Sequence, residues 1–194
     1  MSKLLAIDVA LLPTPAVRER AVELSASLPP AESHGLRLDD DHLPHITLTQ
    51  HFIRAEEREL AFDKIEEVLQ DQKPLRLAVT GAGKGSSAVW MTVEKTPQLQ
   101  TLHERLMEAL RGVERAGATR GAFFGGDARM GDVLLVSSYR ANASFAGFTP
   151  HITLGHATRP PVVERISFQA SIAAACHLGR FCSCREILRS WTLG

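Results

Sequence analysis

The sequence predicts an α+β protein built from two related lobes. Three observations carry that prediction. Segments with strand-like alternation or β-branched apolar runs are interspersed with amphipathic helical segments. Glycine-bounded turns join some strands as hairpins. The pentapeptide Pro-His-Ile-Thr-Leu is written twice, at 44–48 and again at 150–154. A five-residue match of this kind arises by accident about one time in a hundred in a chain this long, so each half is expected to hold one copy of a common unit. The whole of 1–194 is read as a single two-lobed domain.

The elements follow in order. Residues 4–12 (LLAIDVALL) read as a first strand: too short to span a bilayer, interrupted by Asp8, and without a cleavage site. Thr14 and Pro15 open a helix over 14–28, with proline where the first-turn N–H has no partner anyway. A polar loop leads to the first His-containing strand. Residues 54–71 form an amphipathic helix with Leu60, Ile65, Val68 and Leu69 on its apolar stripe. Residues 75–81 and 87–95 are two strands of a hairpin. Thr96 and Pro97 begin another helix, which Gly117 is expected to end. Five glycines in 117–132 and no periodicity mark a loop able to act as a flap over a site. Residues 133–139 (VLLVSSY) read as a strand and 160–168 (PPVVERISF) as a short helix. Two closing strands are expected around Leu178-Gly179-Arg180.

A hydrophobic fraction of 44% with 23% charged residues is that of a globular protein, and net charge is zero. Broad, salt-driven binding of long nucleic acids is therefore not expected. Residues 1–97 carry 11 basic and 15 acidic groups and 98–194 carry 11 and 7, so the second half has local attraction for a phosphate. Cys176, Cys182 and Cys184 fit no zinc spacing and read as strand thiols of an intracellular protein. A cytoplasmic location is expected, with the nucleus also compatible.

On a strand, residues two apart share a face. His45 and Thr47 therefore project together, with Ile46 and Leu48 turned to the core; His151 and Thr153 stand likewise against Ile152 and Leu154. Pro44 and Pro150 sit at the strand entrance, where a missing N–H is tolerated. Two such strands facing across a cleft present two imidazoles and two hydroxyls. One neutral and one charged imidazole take a proton from an attacking oxygen and give one to a leaving oxygen. Threonine hydroxyls donate to non-bridging oxygens as charge builds on them. A phosphodiester suits this arrangement, and no metal is required. Phe52, Tyr139, Phe148 and Trp90 are candidates to stack on a base, and Arg120 and Arg140 to screen phosphate charge.

Rival signals are weaker. In GAGKGSS (81–87) the lysine is followed by Gly85 where a phosphate loop needs Ser or Thr, so a hairpin turn is expected. His42 with His45, and His151 with His156, are spaced to opposite strand faces and do not chelate, so no metal and no cofactor are expected.

The paired motifs His45-Ile46-Thr47-Leu48 and His151-Ile152-Thr153-Leu154 resemble the signature of the two-histidine phosphoesterases, the superfamily of 2′-5′ RNA ligases and cyclic nucleotide phosphodiesterases. The resemblance implies a bilobal fold with antiparallel sheets lining a central cleft and helices outside. It also implies metal-independent chemistry at a 2′,3′-cyclic or 2′-5′ linkage, leaning toward a 2′-phosphate product. The expected enzyme is a cyclic phosphodiesterase with His45 and His151 as the acid–base pair and Thr47 and Thr153 on the phosphate. Its expected partner is a small nucleotide or RNA end, with no membrane and no stable protein partner, as a monomer. RNA 2′-5′ end joining or trimming, and a module that binds a cyclic nucleotide without cleaving it, are the alternatives.

Overall fold

A computed structural model describes residues 2–194. Eight strands form two four-stranded antiparallel sheets. The first has the order β2-β1-β7-β8, with β1 at Leu4–Leu12, β2 at Ile46–Arg54, β7 at Ile172–Leu178 and β8 at Cys184–Thr192. The second runs β5-β4-β3-β6, with β3 at Leu75–Lys84, β4 at Ala88–Val93, β5 at His151–His156 and β6 at Ile166–Ala170. The lobes are thus not the two halves of the chain: the C-terminal hairpin returns to complete the N-terminal sheet.

Four helices cover the sheets: α1 (Pro15–Ser27), α2 (Arg58–Leu69), α3 (Pro97–Ala109) and α4 (Met130–Asn142). They cross over between lobes, α1 packing on β5 of the second sheet while α3 and α4 pack on β2 of the first. One continuous apolar core results, holding Ile7, Val9, Ile46 and Leu48 from the first sheet and Val79, Met91, Ile152 and Leu154 from the second. Burial of such side chains, at roughly 1.5–3 kcal/mol each, fixes the two motif strands in place.

The first strand and the Thr-Pro helix starts are as the sequence predicts, whereas the hairpin turn expected over 81–87 is confined to 85–87 because β3 runs on to Lys84. Thr96 accepts a hydrogen bond from the Leu99 N–H at 3.2 Å, whereas Thr14 makes no such cap. The stripe of α2 is shifted: Leu60 is exposed and Phe62 is buried in its stead. α3 stops at Ala109 and passes into a 3₁₀ turn, short of Gly117. Residues 133–139 lie in α4, not in a strand. Val133, Val136 and Tyr139 recur at three-residue spacing and are buried, while Leu134 and Leu135 face outward, so a run that looks uniformly apolar is helical in period. Residues 160–165 are irregular rather than helical: Pro160 and Pro161 donate no backbone hydrogen bond, and the chain goes directly into β6. In the glycine-rich segment Ala122, Phe123 and Ala128 are buried with Ala6, Ala10 and Phe52, so it packs as a cover on one end of the first sheet, and its last residues bring Arg129 and Asp132 to the cleft.

Candidate active site

β2 and β5 are each the edge strand of their sheet, which is how a buried Pro44 and Pro150 are accommodated at their entrances. His45 stands one residue before β2 and His151 opens β5. Both strands carry a bulge at the same letter of the repeat. Thr47 pairs with Ala10 and Thr49 with Val9, leaving Leu48 as the extra residue. Thr153 pairs with Trp90 and Gly155 with Val89, leaving Leu154. Bulges re-aim side chains beside active sites. Here they let Ile and Leu both bury fully while His and Thr stay half-buried on the cleft side.

The two imidazoles are held alike. His45 Nδ1 lies 2.7 Å from the carbonyl of Leu43, and His151 Nδ1 lies 2.7 Å from the carbonyl of Thr149. A carbonyl only accepts, so each Nδ1 carries the hydrogen and each Nε2 is left to exchange a proton. A cleft of about 390 Å³, nucleotide-sized, brings together His45, Thr47, His151, Thr153, Tyr139, Phe148 and Trp90.

Behind these matched bonds the two motifs differ. Asp8, fully buried on β1, stands 3.8 Å from His45 Nε2 and accepts from the Thr47 hydroxyl at 2.7 Å and from Gln50 Nε2 at 2.9 Å, all at Oδ2. Burial raises Asp8 above the usual carboxyl range, against the opposing pull of His45, Gln50 and Thr47. The second motif has Ala88 at the register position that Asp8 holds beside the first, and beside it stands instead the indole of Trp90, at the position of Ala10: the His151 and Trp90 ring centroids are 5.1 Å apart. Trp90 lies over Gly83, where a Cβ would come within 2.3 Å of its Nε1. Burial pushes His151 below the ordinary imidazole range, the Thr149 carbonyl opposes this, and His45 across the cleft adds to it.

Of the sequence-predicted contacts, Phe52 is not in the cleft; it is buried under the 117–128 cover, edge-on to Phe123. The length of β2 carries it past the site. Arg140 is tied to Glu114 at 2.6 Å and to the Met107 carbonyl, and Arg120 does not line the cleft. Phe148 lines the wall but stacks on His103, centroids 4.1 Å apart, so one face is already covered. Tyr139 is nearly buried, and burial with the nearby Asp8 keeps its phenol protonated.

Sequence reasoning misses four lining or supporting groups. Asp8 and Gln50 show only as polar letters in apolar strands. Arg129 and Phe181 come from loops without periodicity. Arg129 is ion-paired to Asp132 at 2.6 Å and lies 4.0 Å over the Phe181 ring. Phe181 and Cys182 both adopt left-handed backbone, φ 65° and 53°, held by a bond from the Phe181 N–H to Asp132 at 3.1 Å. Among the described residues one set of three possible metal ligands, Asp8, His45 and Cys184, lies within 4.8 Å. Burial drives the Cys184 thiol well up, away from the thiolate a zinc ion prefers, and Asp8 Oδ2 already serves Thr47 and Gln50, so the set suits a hydrogen-bonded cluster better than a metal.

The sequence matches the family model of the 2′-5′ RNA ligase superfamily over residues 13–176. No curated protein matches the chain. Solved structures share the fold. LigT of E. coli in its apo form superposes with a TM-score of 0.63 at 18% identity, covering 99% of each chain. LigT complexed with 3′-AMP gives 0.64 at 20% identity, covering 98% of each. TT0787 of Thermus thermophilus gives 0.62 at 17% identity, covering 97% of this chain and 98% of that one.

Proposed function

The chain belongs to the 2′-5′ RNA ligase superfamily of two-histidine phosphoesterases, and from that premise we propose that it hydrolyses a cyclic phosphodiester on ribose without a metal. The observation that carries the reading is the pair of imidazoles with identical Nδ1 anchoring and free Nε2 atoms, each beside a threonine, on one nucleotide-sized cleft. His151, pushed toward its neutral form, is the base that takes a proton from water. The water oxygen bonds to phosphorus and the bond from phosphorus to the 3′-oxygen breaks. His45, with a carboxyl 3.8 Å from its Nε2, gives that oxygen its proton. A 2′-phosphate with a free 3′-hydroxyl results. The non-bridging oxygens sit by Thr153, whose hydroxyl has no other partner among the described residues, and by Thr47. Trp90, Phe181, Tyr139 and Phe148 supply apolar wall for a base. LigT complexed with 3′-AMP and with ATP supports an occupant of nucleotide size. The family's name favours, as a second reading, the same chemistry at a 2′-5′ linkage or an RNA end.

The test is phosphorus NMR on chelator-treated protein incubated with each of the 2′,3′-cyclic nucleotides. Conversion to a monophosphate, with the 2′ isomer in excess, is the expected result. Activity that disappears with the chelator and returns with a metal contradicts the reading, as does an unchanged cyclic ligand that only raises the melting temperature.

A further inference from the structure

A threonine hydroxyl has one proton to give. In the second motif that proton is free for a substrate. In the first it is directed at Asp8, since the Thr47 hydroxyl donates to Oδ2 at 2.7 Å. As long as Asp8 is a carboxylate, which only accepts, Thr47 has nothing to offer a phosphate oxygen. The surroundings make that carboxylate costly. Asp8 is fully buried, its Oδ1 has no hydrogen-bond partner, and among the described residues no lysine or arginine bonds to it. The groups facing it are His45, Thr47 and Gln50 from β2 and its entrance, Cys176 opposite on β7, and Cys184 from β8, with Tyr139 and Cys182 near enough to feel its charge. A phosphodiester arriving at Thr47 would add a second negative charge against the first.

We infer that Asp8 is a positioning residue that sets the direction of the Thr47 hydroxyl, so that the site takes up a proton on Asp8 when it binds an anion. This rests on the phosphodiester reading of the cleft. The exchange is balanced and breaks no covalent bond in the substrate. One proton from solvent goes onto the Asp8 carboxyl. The carboxyl O–H then donates to the Thr47 oxygen, and the Thr47 hydroxyl turns its own hydrogen to a non-bridging oxygen. Gln50 Nε2 goes on donating to the carboxyl and holds it in place. His45, having faced the carboxylate, faces the phosphate instead. The second motif needs no such step.

Asp8→Asn keeps the volume, and its amide is a permanent donor to Thr47. Sulfate, a dianion throughout, is titrated calorimetrically into wild type and Asp8→Asn from about pH 6 to 9, in buffers of different ionisation enthalpy. Wild type should take up about one proton more per sulfate than Asp8→Asn, and above the titration of Asp8 its affinity should fall about tenfold per pH unit relative to the variant. Thr47→Val, which leaves the carboxyl intact, should lower the uptake to the Asp8→Asn level. Equal uptake in wild type and Asp8→Asn, affinities that run parallel with pH, or wild-type uptake in Thr47→Val would each overturn the inference. Failure of the reaction itself reads differently: no cleavage of any cyclic nucleotide, with the uptake difference intact, removes the proposed activity and leaves the anion site standing.

Discussion

The two copies of Pro-His-Ile-Thr-Leu are the same in sequence, bulge and Nδ1 anchoring, yet they sit in different surroundings. The first histidine has a buried carboxyl behind it and the second has an indole. The first threonine is engaged by that carboxyl and the second is unengaged. Duplicated letters therefore fix where the groups stand, and on the proposed reading the unduplicated neighbours on β1 and β4 set what each group does. A symmetric site would be poor at this chemistry, because acid and base must be in different protonation states at one pH.

The comparison predicts a graded set of effects. The largest belong to the part the motifs share: His45→Ala and His151→Ala should each lower kcat for a cyclic nucleotide by about 10²–10⁴-fold, measured by phosphate release. Near-normal turnover in either would break the pairing. Next come the hydroxyls. Thr153→Val should cost about 10²–10³-fold at every pH, whereas the cost of Thr47→Val should shrink as pH rises and the wild-type Thr47 turns to Asp8. Equal, pH-independent losses would restore the symmetry.

A smaller effect comes from the support of the second motif. Gly83→Ala places a methyl where the Trp90 ring lies, an overpacking that costs about 1–3 kcal/mol and should displace the indole from His151. Indole fluorescence and the acidic limb of the rate profile should change together, while the basic limb stays.

The smallest effect is on stability. Asp8 is raised in the folded state, so folding loses stability as pH climbs from the unfolded carboxyl value of 3.8 through the folded one. His151 is lowered, so its contribution is lost as pH falls from 6.5 through its folded value. Melting curves should show Asp8→Asn removing the loss that sets in as pH climbs above 3.8 and His151→Gln the loss that sets in as pH falls below 6.5, by about 2–4 °C for each kcal/mol. A change of slope on the wrong side for either would contradict its stated surroundings.

What is legible in the sequence follows the same division. His45, Thr47, His151 and Thr153 are readable because period-two geometry separates them from Ile46, Leu48, Ile152 and Leu154, and because a repeat rarely happens by accident. The return of β7 and β8 to the first sheet is not, since partners as far apart in the chain as Ile7 and His177 leave no local pattern. α4 resembles a strand because Leu134 and Leu135, exposed on the helix, fill the gaps between its buried residues. Phe52 is near His45 in sequence, but the intervening strand, at roughly 3.3 Å per residue, carries it beyond the site. Asp8 gives a signal, a charged letter inside an apolar strand, whose meaning depends on β2 being its neighbour.

The most direct test of opposite roles for identical motifs is a substrate whose leaving group needs no proton. On bis(p-nitrophenyl) phosphate, His45→Ala should recover to within about tenfold of wild type, because the acid is no longer required, while His151→Ala should stay down by about 10²-fold or more for want of the base. Recovery of His151→Ala with His45→Ala still inactive would reverse the assignment, and equal behaviour of the two would deny that the carboxyl and the indole set the roles at all.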